Sequence, residues 1–187
     1  MFNLIKVVVI ALLLLYPVFV YFGIKYFSLS HLSIFLLLLF VARFVFTRKG
    51  NKTARLQMIF TVLIGGSLVG LSWLFNSIDY LKWYPVGLNI IFFLIFFSSL
   101  LSPPSIIEQI ARLHRKDLPP SGIIYTRNVT IIWTVFFVIN ALISSWTVLY
   151  GTMEVWTLYN GLISYIIMGV LLGLEILLRN YFVEPPK

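Results

Sequence analysis

The sequence contains no cysteine. That absence excludes disulfides, thiolate-bound metal and a thiol nucleophile, and it leaves the compartment open. Charge is nearly as scarce: 11% of the 187 residues are charged, against about 25% in an ordinary soluble domain. There are two histidines, His31 and His114, so no histidine cluster exists for a metal. A phosphate-cradling glycine loop and a G-x-S-x-G nucleophile elbow are also missing. No cofactor, no metal and no catalytic residue is expected.

What is present is mostly hydrocarbon. The chain is 60% hydrophobic and 17% aromatic, with a mean hydropathy of +1.00. Such a surface would be unstable in water, so an integral membrane protein is expected. Roughly 20 apolar residues in helical form cross a hydrocarbon core about 30 Å thick. Six segments qualify, about 4–23, 29–47, 58–76, 85–102, 129–149 and 156–178. Backbone polar groups in lipid must be satisfied within the segment, which selects α-helices, and nothing alternates as a barrel strand does. The expected fold is all-α: one polytopic bundle over 1–187, with about six membrane helices and one short interfacial helix. The first segment, "MFNLIKVVVIALLLLYPVFVYFG", resembles a secretory signal in Lys6 and its apolar run. Bulky Tyr16, Phe19 and Tyr21 stand where a small-x-small cleavage site belongs, so it is expected to stay as a span.

The connections predict an orientation. "TRKGNKTARLQ" carries Arg48, Lys49, Lys52 and Arg55 with no acid, and the fourth connection carries Arg112, Arg115, Lys116 and Arg127. With Lys6, Arg43, Arg179 and Lys187, twelve of the fourteen basic residues fall on one side; Lys25 and Lys82 are the exceptions. The positive-inside rule places that side, and both termini, in the cytoplasm. Topology thus accounts for the net charge of +8 without nucleic acid. Trp73, Tyr80, Trp83, Tyr84, Trp146, Tyr150, Trp156 and Tyr159 all fall at the opposite ends, as an interfacial aromatic belt would.

"SPPSIIEQIARLHRKDLPPSG", residues 102–122, is the most polar stretch. Ser105 and Glu108 have capping-box spacing, and Glu108 to Arg112 is a favourable i,i+4 pair. Ile106, Ile110 and Leu113 recur at helical spacing, and Pro119-Pro120 is expected to stop the helix. The pattern predicts an amphipathic helix over about 105–117 at the inner surface, with its basic face toward anionic headgroups. Two residues separate His114 from Asp117, whereas four separate the pair in membrane acyltransferases. A solvated charge cluster is the favoured reading.

Ionisable residues inside spans are costly and therefore functional candidates. Arg43, near a span end, can snorkel. Glu175 precedes Arg179 by one turn, with Arg127 as another partner, and an interfacial clamp is expected over a proton relay. Asn89, Asn140 and Asn160 are placed to hydrogen-bond between helices. Gly66/Gly70 and Gly169/Gly173 are G-x-x-x-G pairs that allow close crossings, within the chain or with a protein partner or second copy. The basic residues at 48–55 and 112–116 are candidate contacts to lipid headgroups.

The C-terminal half carries "PPSIIEQIARL", then Tyr125-Thr126-Arg127, Trp133, Phe136-Phe137 with Asn140, Trp156 with Tyr159-Asn160-Gly161, and Glu175. In these it resembles small bacterial membrane proteins encoded beside fatty-acid-synthase-like genes for aryl polyene pigments. More distantly, "ARLQMIF" and "DYLKWYP" are similar to the intracellular septation protein A family. Neither family supplies catalytic residues. The resemblance implies a Gram-negative inner membrane and a non-enzymatic role near envelope lipid or polyene assembly. The alternatives are a flippase for a hydrophobic product and a lipid-modifying transferase.

Overall fold

Prolines and turn residues set the helix ends in the computed structural model, which describes residues 15–47, 52–115 and 117–183. The helices are α1 (Tyr16–Tyr26), α2 (Leu29–Thr47), α3 (Lys52–Leu74), α4 (Asp79–Lys82), α5 (Tyr84–Leu101), α6 (Ile106–His114), α7 (Pro120–Tyr150), α8 (Met153–Leu158) and α9 (Ser164–Val183). A π-helical turn, Tyr159–Ile163, joins α8 to α9. Among the described residues there is no strand. Pro17, Pro85 and Pro120 each sit in the first turn of a helix, where a missing N–H costs nothing.

Three stretches are long and apolar enough to cross a membrane: Asp79–Leu101, Pro120–Tyr150 and Met153–Arg179, of 23, 31 and 27 residues. Leu29–Ala42 and Ile59–Leu74 are shorter apolar stretches. Most of the expected first span lies outside the described residues, and α1 runs three residues past its expected end at 23.

Two helix ends differ from expectation for identifiable reasons. Pro119 and Pro120 do not terminate the interfacial helix, which already ends at His114. They open α7, Pro119 as the extended N-cap and Pro120 in the first turn, nine residues ahead of the expected start. The third helix stops at Leu74 because Asn76 takes a left-handed φ of 47°. The Asn76 N–H then donates to the Trp73 carbonyl (3.4 Å) and the Ser77 N–H to the Ser72 carbonyl (3.1 Å). These are the paired bonds of a Schellman stop.

α7 is the spine. It makes its most extensive packing with α5, while α2 pairs with α3 and α3 reaches α5. At the other end of the sheaf, Tyr16, Leu36, Phe40, Leu81, Tyr84 and Trp156 form a buried cluster. The Tyr16 hydroxyl donates to the Leu81 carbonyl and the Trp156 indole to the Lys82 carbonyl, both at 3.0 Å. These aromatics thereby satisfy carbonyls at the end of the one-turn helix α4. The expected aromatic belt is therefore only partly a belt. Trp73, Trp146 and Tyr150 are exposed, but Tyr84, Trp156 and Tyr159 are buried core. The polar tips of Trp156 and Tyr159 find a backbone carbonyl and a side-chain amide inside the protein.

The glycines also divide differently from expectation. Among the described residues, a Cβ on Gly66, Gly70, Gly169 or Gly173 would meet nothing within 4 Å, so neither G-x-x-x-G pair makes a close crossing there. Close approach occurs at Gly65, where a Cβ would strike the Phe40 ring, and at Gly23, Gly87 and Gly161, against Leu32, Ile64 and Val18.

Candidate functional site

Two polar constructions stand out, one closed and one open. The closed one joins α5, α7 and the π turn. Tyr159 donates to Asn140 Oδ1 at 2.7 Å, Asn140 Nδ2 donates to Asn89 Oδ1 at 2.9 Å, and Asn89 Nδ2 donates to the Pro85 carbonyl at 2.8 Å. Beside it, Ser144 donates to Asn160 Oδ1 at 2.7 Å. Asn160 Nδ2 reaches the Trp156 carbonyl at 2.9 Å and Thr147 Oγ1 at 3.1 Å. The wider π turn lets two successive residues, Tyr159 and Asn160, both reach α7. All three amides expected to bridge helices do so. Each is buried and bonded through both its carbonyl and its amide nitrogen. A network so occupied holds helices in register and leaves no amide oxygen or nitrogen without a protein partner.

The same face of α7 carries Thr126, Thr130, Thr134, Ser144 and Thr147, all buried. Thr130 and Thr134 donate back to the carbonyls four residues earlier, at 2.8 and 2.7 Å. These small hydroxyls let α5 approach closely without an unpaired polar group. The i,i+4 recurrence of hydroxyls from Thr126 was the available signal for this buried stripe.

The short helix after α5 forms as Ile106–His114, but its cap differs from expectation. Ser105 makes no capping bond, and its buried hydroxyl has no partner. The Ile106 N–H is instead bonded by Ser99 Oγ at 3.0 Å, a cap supplied by the last turn of α5. Ser99 was not foreseen because it lies seven residues away, beyond any local capping pattern. With the box unmade, Glu108 pairs with Arg112 through Nη2 at 2.7 Å and Nε at 2.9 Å. The Glu108 carboxylate is buried, and its partner compensates the lost hydration. The outward edge is apolar: Ile110 is 49% exposed and Leu113 83%. Glu108 is therefore the buried member of the pair, while Arg112 keeps 39% of its side chain exposed. Arg115 and Asp117 are exposed. The side chains of His114, Arg43, Lys52 and Arg55, and all of Lys116, Arg48 and Lys49, lie outside the described residues.

The open construction is a cleft of about 540 Å³ between α7 and α9. Its α7 wall is Ser121, Tyr125, Asn128, Ile132 and Trp133, and its α9 wall is Leu171, Leu174, Glu175 and Leu178. These recur at helical spacing, so each wall is one stripe of one helix. Polar groups gather at the end nearer α6. There the Tyr125 hydroxyl donates to the Glu175 backbone carbonyl at 3.0 Å and pins the two walls together. α9 is otherwise little covered: 6% of its most apolar window is buried, against 39% for α7.

The expected clamp around Glu175 is not made. The ion pairs among the described residues are Lys82 with Asp79 and Arg112 with Glu108. Arg127 Nη1 donates to the Leu100 carbonyl at 3.3 Å, closing the end of α5 instead. Glu175 lines the cleft, and Arg179, outside that lining, follows it by one turn in an exposed position. Among the described residues no three His, Asp or Glu side chains come together to hold a metal. No protein-family model, curated protein or solved structure matches the chain.

Proposed function

We propose that this protein is a non-enzymatic multi-pass membrane protein that holds an amphiphile in the α7–α9 cleft and so assists envelope lipid or aryl polyene assembly, or septation-type envelope processes. The observation that carries this reading is the cleft itself: an apolar groove between two membrane-length helices with Glu175 in one wall. Its volume is in the range of small-ligand sites, roughly 300–1,000 Å³. The six-span arrangement, the inner membrane and the cytoplasmic placement of both termini belong to the same proposal. They are motivated by the basic connections at 48–55 and 112–127, which would face anionic headgroups. The amides favour holding over passage, since they are consumed in a closed network away from the cleft.

The test is photolabelling of the purified chain with a lipid carrying a diazirine in its acyl chain. Labelling is expected on 124–133 and 171–178, and Leu171→Trp, which fills the groove, is expected to remove it. The same variant should fail to restore envelope integrity or pigment in a deletion strain. Turnover of an acyl substrate by the pure protein would refute the non-enzymatic role.

A further inference from the structure

We propose that the amphiphile is a phospholipid whose headgroup carries both a primary ammonium and a phosphate, the ammonium meeting Glu175 and the phosphate meeting Arg179. This inference rests on the cleft being an amphiphile site and adds the chemical class of its occupant.

The apolar walls cannot select a ligand. Lipid tails in a bilayer are as apolar as Ile132, Leu171 and Leu174, so moving an acyl chain from the bilayer into the cleft gains no hydrophobic transfer energy. Discrimination must arise at the polar end, where Glu175 lines the cleft and Arg179 stands exposed one turn beyond it. Glu175 and Arg179 are four residues apart in the order that favours a helical ion pair, yet no such pair is formed. An ionised carboxylate in apolar surroundings is costly unless a partner reaches it. No ion-pair partner is supplied to Glu175 among the described residues, since the nearest basic residue of α7, Arg127, is bonded to the Leu100 carbonyl.

The charge of the site then narrows the occupant. A purely anionic headgroup would satisfy Arg179 and be repelled by Glu175. A neutral polyene would leave both unsatisfied. A zwitterion complements both, and its phosphate and ammonium are joined by a two-carbon link. That reach is close to the roughly 5–6 Å that separates side-chain bases one helical turn apart. A primary ammonium also brings three N–H donors for the carboxylate, and Ser121 and Asn128 line the same end with further hydrogen-bonding groups. The acyl chain would then lie along Val129, Ile132, Trp133 and Leu171.

The test uses the full chain in nanodiscs containing either phosphatidylethanolamine or phosphatidylglycerol, each with a diazirine in one acyl chain, at equal mole fraction. Cleft peptides should be labelled about fivefold more by the ethanolamine lipid, the ratio set by one exposed ion pair of about 1 kcal/mol. Glu175→Gln should lower ethanolamine labelling to the glycerol level and leave the glycerol lipid unchanged. Glu175→Asp should keep the preference, which guards against a folding defect, and Arg179→Gln should lower labelling by both lipids. Equal labelling by the two lipids in the parent protein, or a preference that survives Glu175→Gln, overturns the headgroup assignment while the cleft remains an amphiphile site. Labelling confined to other surfaces and indifferent to Leu171→Trp overturns both.

Discussion

Asn140 is the side chain on which the closed network turns, and replacing it by alanine gives the sharpest test of that network. The substitution removes the bond from Tyr159 (2.7 Å) and the bond to Asn89 (2.9 Å) together. It strands the Tyr159 hydroxyl and the Asn89 carbonyl, in residues 9% and 8% exposed, where water gives little relief. Hydrogen bonds between membrane helices average about 0.6 kcal/mol and reach about 1.7. A stranded buried polar group costs about 1–3 kcal/mol. Asn140→Ala is therefore expected to destabilise the fold by about 2 kcal/mol, and Tyr159→Phe by about 1, since the latter loses one bond. The decisive quantity is their coupling. With Asn140 gone, Tyr159→Phe has no bond left to break, so the double variant should fall short of the summed losses by about 1 kcal/mol. The assay is reversible unfolding in mixed micelles titrated with dodecyl sulfate, with Asn128→Ala as a cleft-lining control within about 0.5 kcal/mol of the parent. Additive effects, or single losses below about 0.5 kcal/mol, would refute the reasoning.

Three further outcomes follow from the packing. Ser99→Ala should fray α6, costing about 1 kcal/mol as helix-cap losses do, read as faster amide exchange over 106–114; Ser105→Ala should be neutral or slightly stabilising because its hydroxyl is buried without a partner. Gly65→Ala should cost about 1–3 kcal/mol by overpacking against Phe40. Gly66→Ala and Gly169→Ala, with open space around them, should instead stabilise by up to about 1 kcal/mol through helix propensity, in the same unfolding titration. Trp156→Phe keeps most of the ring but loses the bond to the Lys82 carbonyl, an expected loss of about 0.5–1.5 kcal/mol. Trp146→Phe, 55% exposed, should change stability little. Equal effects at the two tryptophans would place Trp156 back in the belt.

The all-α fold and its three membrane-length stretches were legible in the sequence, because length and hydropathy determine whether a segment can be a membrane helix at all. Their facing was not, and the errors share one cause. In a soluble protein the apolar stripe marks the buried face. Among membrane-length helices both faces are apolar, so Gly66 and Gly65 look alike until Phe40 is found above one of them. Trp146 and Trp156 are equally indistinguishable until the Lys82 carbonyl arrives from a helix 74 residues away in sequence. The marks that do survive are polar. Asn89, Asn140 and Asn160 pointed inward as their chemistry demanded, and the Thr126, Thr130, Thr134 stripe records the same face of α7. Even polarity misleads where two partners compete: Glu108 fits a local capping box, but Arg112 offers it an ion pair and Ser99 already bonds the amide at the helix start. A polar side chain left over once such claims are met is then informative. Glu175 is that residue: the local pattern offers it Arg179, no ion pair between them is made among the described residues, and Glu175 lines the cleft. That unmade pair among the described residues is the observation on which the proposed headgroup contact rests.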